Sequence, residues 1–323
     1  MKILIVSPES TDAPLGNSVT SARWAEILRT LHHDVVIRNS WSGEECDLLI
    51  ALNAHRSADS IEKFRSVHRN RPLIVALTGT DVYRDLPNSQ AAKRSLALAT
   101  RIVALQECAV QELDESARAK TNIIYQSAVP PEASEPRSGD FFDVCVLSHL
   151  RTVKDPLCAA YAARLMPPSS RLRIKHAGRA LEPQLEAEAR GEERTNSRYH
   201  WLGEQSHEAA MRLLVSSRLL VVSSTIEGGA NVIAEAVVCG IPVLCSNIPG
   251  NIGMLGTAYP GYFALRNAQH LAELLERVEC DRSFMTTLQE LIAGLQYRFS
   301  PEHEMACWEQ LLGTLGSACR PGL

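Results

Sequence analysis

Apolar residues occur along this chain in short runs, and the stretches between the runs carry apolar positions at helical spacing. A short apolar run bounded by turn residues is typical of a parallel strand that is buried on both faces. Strands that alternate with helices predict an α/β protein with parallel sheets. The predicted strands are residues 3–6, 35–38, 48–52, 73–77, 102–105, 123–125, 141–147, 172–176, 199–202, 219–222 and 241–245.

Helices are predicted in most of the intervals between strands. Residues 129–140 are instead rich in proline and charge, which is typical of an exposed linker. We therefore predict an N-terminal domain of residues 1–138, a C-terminal domain of residues 139–300 and a final helical segment, residues 301–323. The glycine-rich residues 247–256 are predicted to form a loop. The predicted helices are residues 18–31, 61–67, 91–98, 110–117, 182–193, 209–215, 230–239 and 301–315.

Composition narrows the class of protein. A chain of 323 residues is long enough for two domains, and its net charge of −4 argues against a nucleic-acid partner. Nine cysteines without a Cys-x-x-Cys pair are typical of the reducing cytoplasm, where we expect the protein to reside. No apolar stretch approaches the roughly 20 residues of a membrane span, so no membrane partner is expected. The histidines show no metal-ligand spacing, and no Gly-x-Gly-x-x-Gly follows the first strand, so we expect neither metal nor cofactor.

One strand–loop–helix–strand unit, residues 219–245, carries the most informative chemistry. Its helix is predicted to begin at the glycine pair Gly228 and Gly229, where amides without intrahelical partners favour an anion. Glu227 stands before the helix, and Glu235 lies about two turns further along. Two carboxylates that flank a phosphate-binding helix start fit a nucleotide-sugar. An ordinary helix with one exposed and one capping glutamate is the alternative.

Residues 227–236 resemble the Glu-x7-Glu motif of retaining glycosyltransferases of the GT-B fold, family 4 and its relatives. The resemblance implies two Rossmann-like domains that face a central cleft, with a C-terminal helix that crosses back to the first domain. It implies that Glu227 faces the donor sugar and that Glu235 holds the nucleotide ribose. The residues between them in the motif are assigned to donor binding as well: Gly228, Gly229, Ala230 and Asn231.

Two cations follow the predicted strand 141–147. Arg151 offers a planar fork and Lys154 a point charge, and together they suit a diphosphate. Family 4 transferases carry an arginine and a lysine in this loop, but they usually have glycine where this chain has Asp155. Gly203, after the strand 199–202, resembles the family's strand-ending glycine near the nucleotide base. Because the protein supplies this positive charge itself, the expected mechanism needs no metal.

The acceptor is predicted to bind in the first domain. Gly16 and Asn17, at a predicted helix start, resemble the acceptor-side glycine loop of GT-B transferases, and we assign them to donor and acceptor binding alike. Thr20 and Arg23 lie on the first turns of that helix, where they suit an anionic acceptor. A plain capped helix with Arg23 in solvent is the alternative.

Residues 78–85 leave the carboxyl end of a strand, where open α/β sheets bind ligands. Thr80, Asp81 and Arg84 are therefore assigned to the acceptor, with Asp81 as a polar group at the reacting centre. As catalytic residues we predict Asp81 together with the donor-site residues Glu227, Arg151 and Lys154. The alternatives are that Asp81 caps the next helix and that Arg84 pairs with Asp85.

A finer resemblance extends over nearly the whole chain. Residues 77–85, 247–256 and 259–263 look like the selenosugar synthases of the selenoneine pathway. This implies UDP-N-acetylglucosamine or a similar UDP-sugar as donor and selenophosphate as acceptor, with UDP released. A transferase for another small acceptor, a UDP-sugar epimerase and a non-catalytic nucleotide-sugar-binding protein remain alternatives. The sequence predicts neither the oligomeric state nor the stereochemistry.

Overall fold

The computed structural model describes residues 1–8, 16–131 and 139–317. The chain divides into two compact units. The first unit contains Met1–Gln126, Glu227–Gly229 and the chain from Pro301 onward, and the second contains Ser127–Ile226 and Ala230–Ser300. The predicted linker 129–140 and the loop before the first helix lie partly outside the described residues, at 132–138 and 9–15.

The first unit is built on a six-stranded parallel sheet with the order β2-β1-β3-β4-β5-β6. Its strands are β1 Lys2–Val6, β2 Asp34–Arg38, β3 Leu48–Leu52, β4 Leu73–Leu77, β5 Arg101–Ala104 and β6 Thr121–Ile123. Its helices are α1 Gly16–Thr30, α2 Ala58–Val67, α3 Gln90–Leu98, α4 Cys108–Gln111, α5 Glu115–Arg118 and α13 Pro301–Ser317, together with a π-helical turn at Asp81–Asp85.

The second unit has its own six-stranded parallel sheet, with the order β12-β11-β10-β7-β8-β9. Its strands are β7 Phe142–Leu147, β8 Leu172–Ala177, β9 Tyr199–Trp201, β10 Leu219–Val222, β11 Val243–Ser246 and β12 Tyr262–Phe263. Its helices are α6 Cys158–Arg164, α7 Pro183–Thr195, α8 His207–Ser216, α9 Asn231–Val238, α10 Pro249–Leu255, α11 Ala268–Cys280 and α12 Arg282–Leu295, with 3-10 turns at Thr152–Lys154 and Gln296–Phe299. The prediction of an α/β protein with parallel sheets is confirmed.

The apolar runs form strands because both faces of the first sheet are covered. Every residue of β3 and of β4 is buried. Alternate residues point to opposite faces, so Leu49 and Ala51 belong to one apolar cluster while Leu48 and Ile50 belong to the other. The unbroken apolar sequence is the consequence of this double burial.

Helix α13 belongs to the first unit and packs on α1. The rings of Trp24 and Trp308 meet edge to face with centroids 4.9 Å apart. The Trp24 Nε1–H donates a 2.8 Å hydrogen bond to Glu304, a fully buried carboxylate. The apolar positions of α13, among them Leu311 and Leu315, complete the cluster on this face of the sheet. The final helix therefore returns to the first unit, as the GT-B resemblance implies.

Several local predictions are wrong. Residues 247–256 are not a loop, because Pro249 starts helix α10 and Gly256, at φ +88°, ends it. Helices α11 and α12 were not predicted. The strand expected at 123–125 lies two residues earlier, as β6. No helix of the residues described here is long and apolar enough to cross a membrane.

Candidate functional site

The strand order of the second sheet marks a topological switch point. From β7 the chain proceeds outward through β8 and β9, and it then returns to the other side of β7 to form β10, β11 and β12. Open α/β sheets bind ligands at the carboxyl ends of the two strands where the order reverses. We call the segments that follow these strands the β7 loop, residues 148–155, and the β10 loop, residues 223–226.

Hydrogen bonds join these two loops. The backbone N–H of Thr225 donates to the Val153 carbonyl at 2.8 Å, and its hydroxyl donates to the same oxygen at 3.1 Å. The buried Ser223 hydroxyl lies 3.0 Å from the Lys154 carbonyl and 2.7 Å from that of Asp155. The β7 loop, which carries both predicted diphosphate cations, is therefore held against the segment that leads to α9.

The β7 loop presents its cations from a short 3-10 turn, Thr152–Lys154. Arg151 precedes this turn in extended conformation, and Lys154 ends it. Both side chains are half-buried. Glu182 anchors the turn from outside by accepting the Thr152 hydroxyl at 2.5 Å and the Thr152 N–H at 2.9 Å, and these bonds lower the pKa of Glu182.

Asp155 adopts a left-handed backbone conformation, with φ +43° and ψ +55°. Glycine reaches this region without steric cost, whereas other residues are strained in it. This geometry accounts for the glycine that the family usually has at this point. Burial raises the pKa of the Asp155 carboxyl, and its Oδ2 has no hydrogen-bond partner within the described ranges.

Helix α9 begins at Asn231, so the prediction that it begins at the glycine pair is wrong by two residues. Its N-cap is Ala230, which has no polar side chain to close the first turn. Glu235 lies on α9 with 15% of its side chain exposed, 3.8 Å from Nδ1 of His207. The β10 loop is thus followed along the chain by the Glu-x7-Glu motif, which contains the start of α9 and Glu235.

Glu227, Gly228 and Gly229 belong to the first unit and pack tightly there. A Cβ atom on Gly228 would lie 2.4 Å from the carbonyl oxygen of Thr78, and a Cβ on Gly229 would lie 2.8 Å from Cβ of Leu105. Only glycine fits such a close backbone approach. The glycine pair is therefore required by packing outside the helix, in addition to any role in donor binding.

The loops after β8 and β9 extend the same edge of the second sheet. Gly203, at φ +68°, accepts a 2.8 Å hydrogen bond from the Gly178 N–H. A Cβ on Gly178 would lie 1.9 Å from the Ser148 carbonyl oxygen, so the β8 and β7 loops are in direct backbone contact. Gly203 is thereby joined, through Gly178, to the β7 loop.

Two histidines at this edge have lowered pKa values. Burial lowers the pKa of His176 to about 4, and its ring lies 2.9 Å from both the Tyr199 hydroxyl and the Ser148 carbonyl. Burial and the neighbouring Arg179 lower the pKa of His149, whose Nδ1 accepts the Arg179 N–H at 3.1 Å. That bond assigns the proton of His149 to Nε2.

The predicted acceptor residues on α1 have structural partners. The Thr20 hydroxyl donates to the Gly16 carbonyl at 2.9 Å and accepts a hydrogen bond from Gln126. Arg23 lies 3.3 Å from the carboxylate of the buried Glu304, so the alternative that places Arg23 in solvent is wrong. Gly16 and Asn17 form the start of α1, where Gly16 is exposed.

Asp81 is fully buried and binds the backbone around the turn after β4; it does not cap the next helix, because the side chain of Ser89 caps α3. Its carboxylate accepts backbone N–H bonds from Ala54, Thr78 and Gly79, each at 2.9 Å, and from Val82 at 3.2 Å. Burial raises the pKa of Asp81, and the amide donors oppose this effect. The carboxylate thus holds the turn after β4 together, which leaves little capacity for a substrate.

Thr80 and Arg84, which lie near Asp81 in sequence, also make polar contacts within the protein. The Thr80 hydroxyl accepts a 3.3 Å bond from the Asn53 amide. Exposed Arg84 pairs with Asp85 at 2.9 Å, as the alternative reading of this segment expected. In the part of the chain that the structure describes, no three His, Cys, Asp or Glu side chains come together as metal ligands.

Sequence reasoning overlooked Ser223 and Thr225, which position the β7 loop. Three hydroxyl residues, Ser223, Ser224 and Thr225, directly follow the buried strand β10. Hydroxyls at the carboxyl end of a buried strand are the signal that would have identified them.

Two parallel six-stranded sheets flanked by helices, with α13 returning to the first unit, define the GT-B fold of glycosyltransferases. Residues 133–292 match the family described as "Glycosyl transferases group 1". The matched region contains both loops of the switch point and all of α9.

Solved structures that cover 98–99% of this chain have the same fold. HepE from Anabaena, in complex with UDP and glucose, is similar with a TM-score of 0.75 and 18% identity, covering 98% of this chain and 100% of its own. Sucrose-phosphate synthase from Thermosynechococcus elongatus gives a TM-score of 0.76 and 15% identity, covering 98% and 99%. A glycosyltransferase from Rickettsia africae gives 0.74 and 15%, covering 99% of each chain.

Proposed function

We propose that this protein is a glycosyltransferase that takes its sugar from a UDP-sugar and binds the diphosphate of that donor at the β7 and β10 loops of the second unit. The observation that carries the proposal is the hydrogen-bonded pair of loops at the switch point, which holds Arg151 and Lys154 beside the segment leading to α9. The family match covers this segment, and the similar HepE has been solved with UDP and with UDP-glucose.

The electrostatics of the loops suit a leaving nucleoside diphosphate. Negative charge develops on the diphosphate as its bond to the anomeric carbon breaks, and preorganised cations and amides lower the energy of that state. Arg151 and Lys154 would supply the cations, and the amides at the start of α9 would supply partial positive charge. By the motif resemblance, Glu235 would hold the ribose and Glu227 would face the sugar.

We assign the acceptor to the first unit, at the start of α1. Four of the predicted acceptor-binding residues already make contacts within the protein, so we do not assign them to the acceptor: Asp81, Arg84, Thr20 and Arg23. We retain the start of α1, because Gly16 is exposed there and helix N-termini favour small anions.

The finer assignment is UDP-N-acetylglucosamine as donor and selenophosphate as acceptor. It rests on the resemblance of residues 77–85, 247–256 and 259–263 to selenosugar synthases. In this reaction a bond forms between selenium and the anomeric carbon while the bond from that carbon to UDP breaks. The products are a selenosugar that carries the phosphate and free UDP.

Mass spectrometry of the purified protein with UDP-N-acetylglucosamine, with and without selenophosphate, tests the proposal. We expect UDP release that requires selenophosphate, together with an equal amount of a new selenium-containing sugar. Lys154→Ala should abolish turnover, whereas the matched control Lys93→Ala in the first unit should not. A new epimer formed without acceptor would identify an epimerase instead, and binding of UDP without any turnover would identify a binding protein.

A further inference from the structure

A second concave site lies in the second unit, at the opposite edge of its sheet from the switch-point loops. Its volume is about 580 Å³, within the range of small-molecule pockets. The lining comes from the residues that begin or precede β7, β8 and β10 and from the junction of α11 and α12. We call this cavity the amino-edge pocket.

The amino-edge pocket is positively charged. Arg171, Arg218 and Arg282 line it against one acid, Glu279, which leaves a formal excess of two positive charges. The Glu279 carboxylate is already used, because it accepts the Ser170 hydroxyl at 2.6 Å and the Arg171 N–H at 2.7 Å. Within the described ranges, none of the three guanidinium groups forms an ion pair.

Two acids beside the lining residues, Asp143 and Asp281, are bound to other cations or to backbone. The Asp143 carboxylate pairs with Arg173 at 2.6 Å and with Lys175 at 2.9 Å. Asp281 caps α12 by accepting the Ser283 and Phe284 N–H bonds. These two acids therefore do not compensate the positive charge of the pocket lining, and an anion from solution would compensate it.

The position of Arg282 strengthens this inference. It is the first residue of the 14-residue helix α12, where the helix dipole disfavours a cation. A bound anion would interact favourably with the dipole and with the guanidinium together. The site thus combines a helix start with three arginines in one cavity.

Part of the pocket is apolar. Phe141 is 43% exposed, and Arg173 stacks on its ring at 4.1 Å. Phe142, Val278 and Met285 also line the cavity. A ligand with both an anionic and an apolar part matches this lining better than a bare ion.

We propose that the amino-edge pocket binds a small organic phosphate monoester. A dianionic phosphate matches the two excess charges, and planar guanidinium groups bind phosphate oxygens through paired hydrogen bonds. The organic part lies against Phe141 and Met285. The pocket is distinct from the proposed donor site, because Phe142 and Leu147 stand at opposite ends of β7, about 17 Å apart at the usual rise of a strand.

Cys280 provides a built-in reporter. It lines the pocket and is exposed, whereas Cys46, Cys145, Cys158 and Cys245 are buried. The rate of its alkylation by iodoacetamide can be followed by peptide mass spectrometry, with half-buried Cys307 as the internal reference. Phenyl phosphate is the probe, with inorganic phosphate and phenol as its separate halves.

Phenyl phosphate at millimolar concentration should slow the alkylation of Cys280 at least threefold and leave that of Cys307 unchanged. Each half alone should protect less. Arg218→Gln and, separately, Arg282→Gln should weaken the protection constant about tenfold, as expected for loss of a charged hydrogen bond. The control Arg194→Gln, an exposed arginine on α7, should not. Saturating UDP should leave the protection intact.

Three results would overturn the proposal. The first is that Cys280 is not protected when the probe concentration is raised in tenfold steps to about 10 mM, which corresponds to a binding free energy weaker than about 3 kcal/mol. The second is protection that survives both arginine substitutions, and the third is displacement of the probe by UDP. Arg282 is exposed at a helix end, so its replacement leaves the core untouched and keeps the test decisive if Arg218→Gln fails to fold. None of these outcomes depends on glycosyl transfer.

Discussion

Replacing Ser223 by alanine tests whether the joined loops hold the donor. Its hydroxyl bridges to the carbonyls of Lys154 and Asp155 at 3.0 and 2.7 Å, from a position that is 3% exposed. A hydroxyl has one hydrogen, so the two carbonyls share it, and a buried carbonyl left without it costs free energy. We expect Ser223→Ala to lower the free energy of unfolding by about 1–2 kcal/mol.

The functional consequence should exceed that of a general loss of stability. Without the Ser223 bond the β7 loop is less well positioned, and UDP should bind about tenfold more weakly, a change of about 1.4 kcal/mol. Ser217→Ala is the matched control, because Ser217 is buried at the other end of β10 and donates to the Leu213 carbonyl at 2.7 Å. It should lose similar stability and keep its UDP affinity.

Urea unfolding measures the free energy of unfolding of each variant, and isothermal titration calorimetry measures its affinity for UDP. If Ser223→Ala is destabilised but binds UDP as tightly as the wild type, the β7 loop does not hold the diphosphate. If Ser217→Ala loses affinity to the same extent, the effect is one of stability alone. Either result would show that the Ser223 hydrogen bond does not position the β7 loop for UDP.

Three further predictions concern stability. Asp155→Gly should raise the free energy of unfolding by about 1 kcal/mol in urea melts, because glycine adopts the left-handed conformation without strain; a loss of stability would contradict this. His176 has a folded-state pKa of about 4, below its ordinary value, so wild-type stability should be full above pH 6.5 and fall by about 2 kcal/mol between pH 7 and pH 5. His176→Gln should remove the part of this pH dependence that comes from protonation of His176, and a pH dependence that is unchanged in the variant would exclude that contribution. Glu304→Ala removes a partner of both the buried Trp24 N–H and the Arg23 guanidinium and should cost about 3–5 kcal/mol, whereas exposed Glu302→Ala should be neutral by the same unfolding assay.

The strands were predictable because a strand that is buried on both faces has an unbroken run of apolar residues in its sequence. Residues 48–52 and 73–77 were predicted with the bounds that β3 and β4 have. Helix α10 was not predicted, since its glycines favour a loop locally, and five of its residues are buried by tertiary packing. Local sequence preferences do not include that contribution.

The candidate site was predictable only in part. Arg151 and Lys154 were identified from their place after a strand, and the structure adds the hydrogen bonds that join their loop to the β10 loop. Asp81 shows the limit of such reasoning. A carboxylate after a strand can bind a ligand or accept backbone N–H bonds, and only coordinates reveal its four amide donors.

We propose above that a nucleoside diphosphate binds at the loops that follow β7 and β10. Amide hydrogen exchange of the full chain with and without UDP tests it directly. We expect slower exchange in residues 148–155 and 223–235 when UDP is bound, with little change in the amino-edge pocket. UDP binding that leaves both loops unprotected, or that protects another part of the second unit instead, would contradict it.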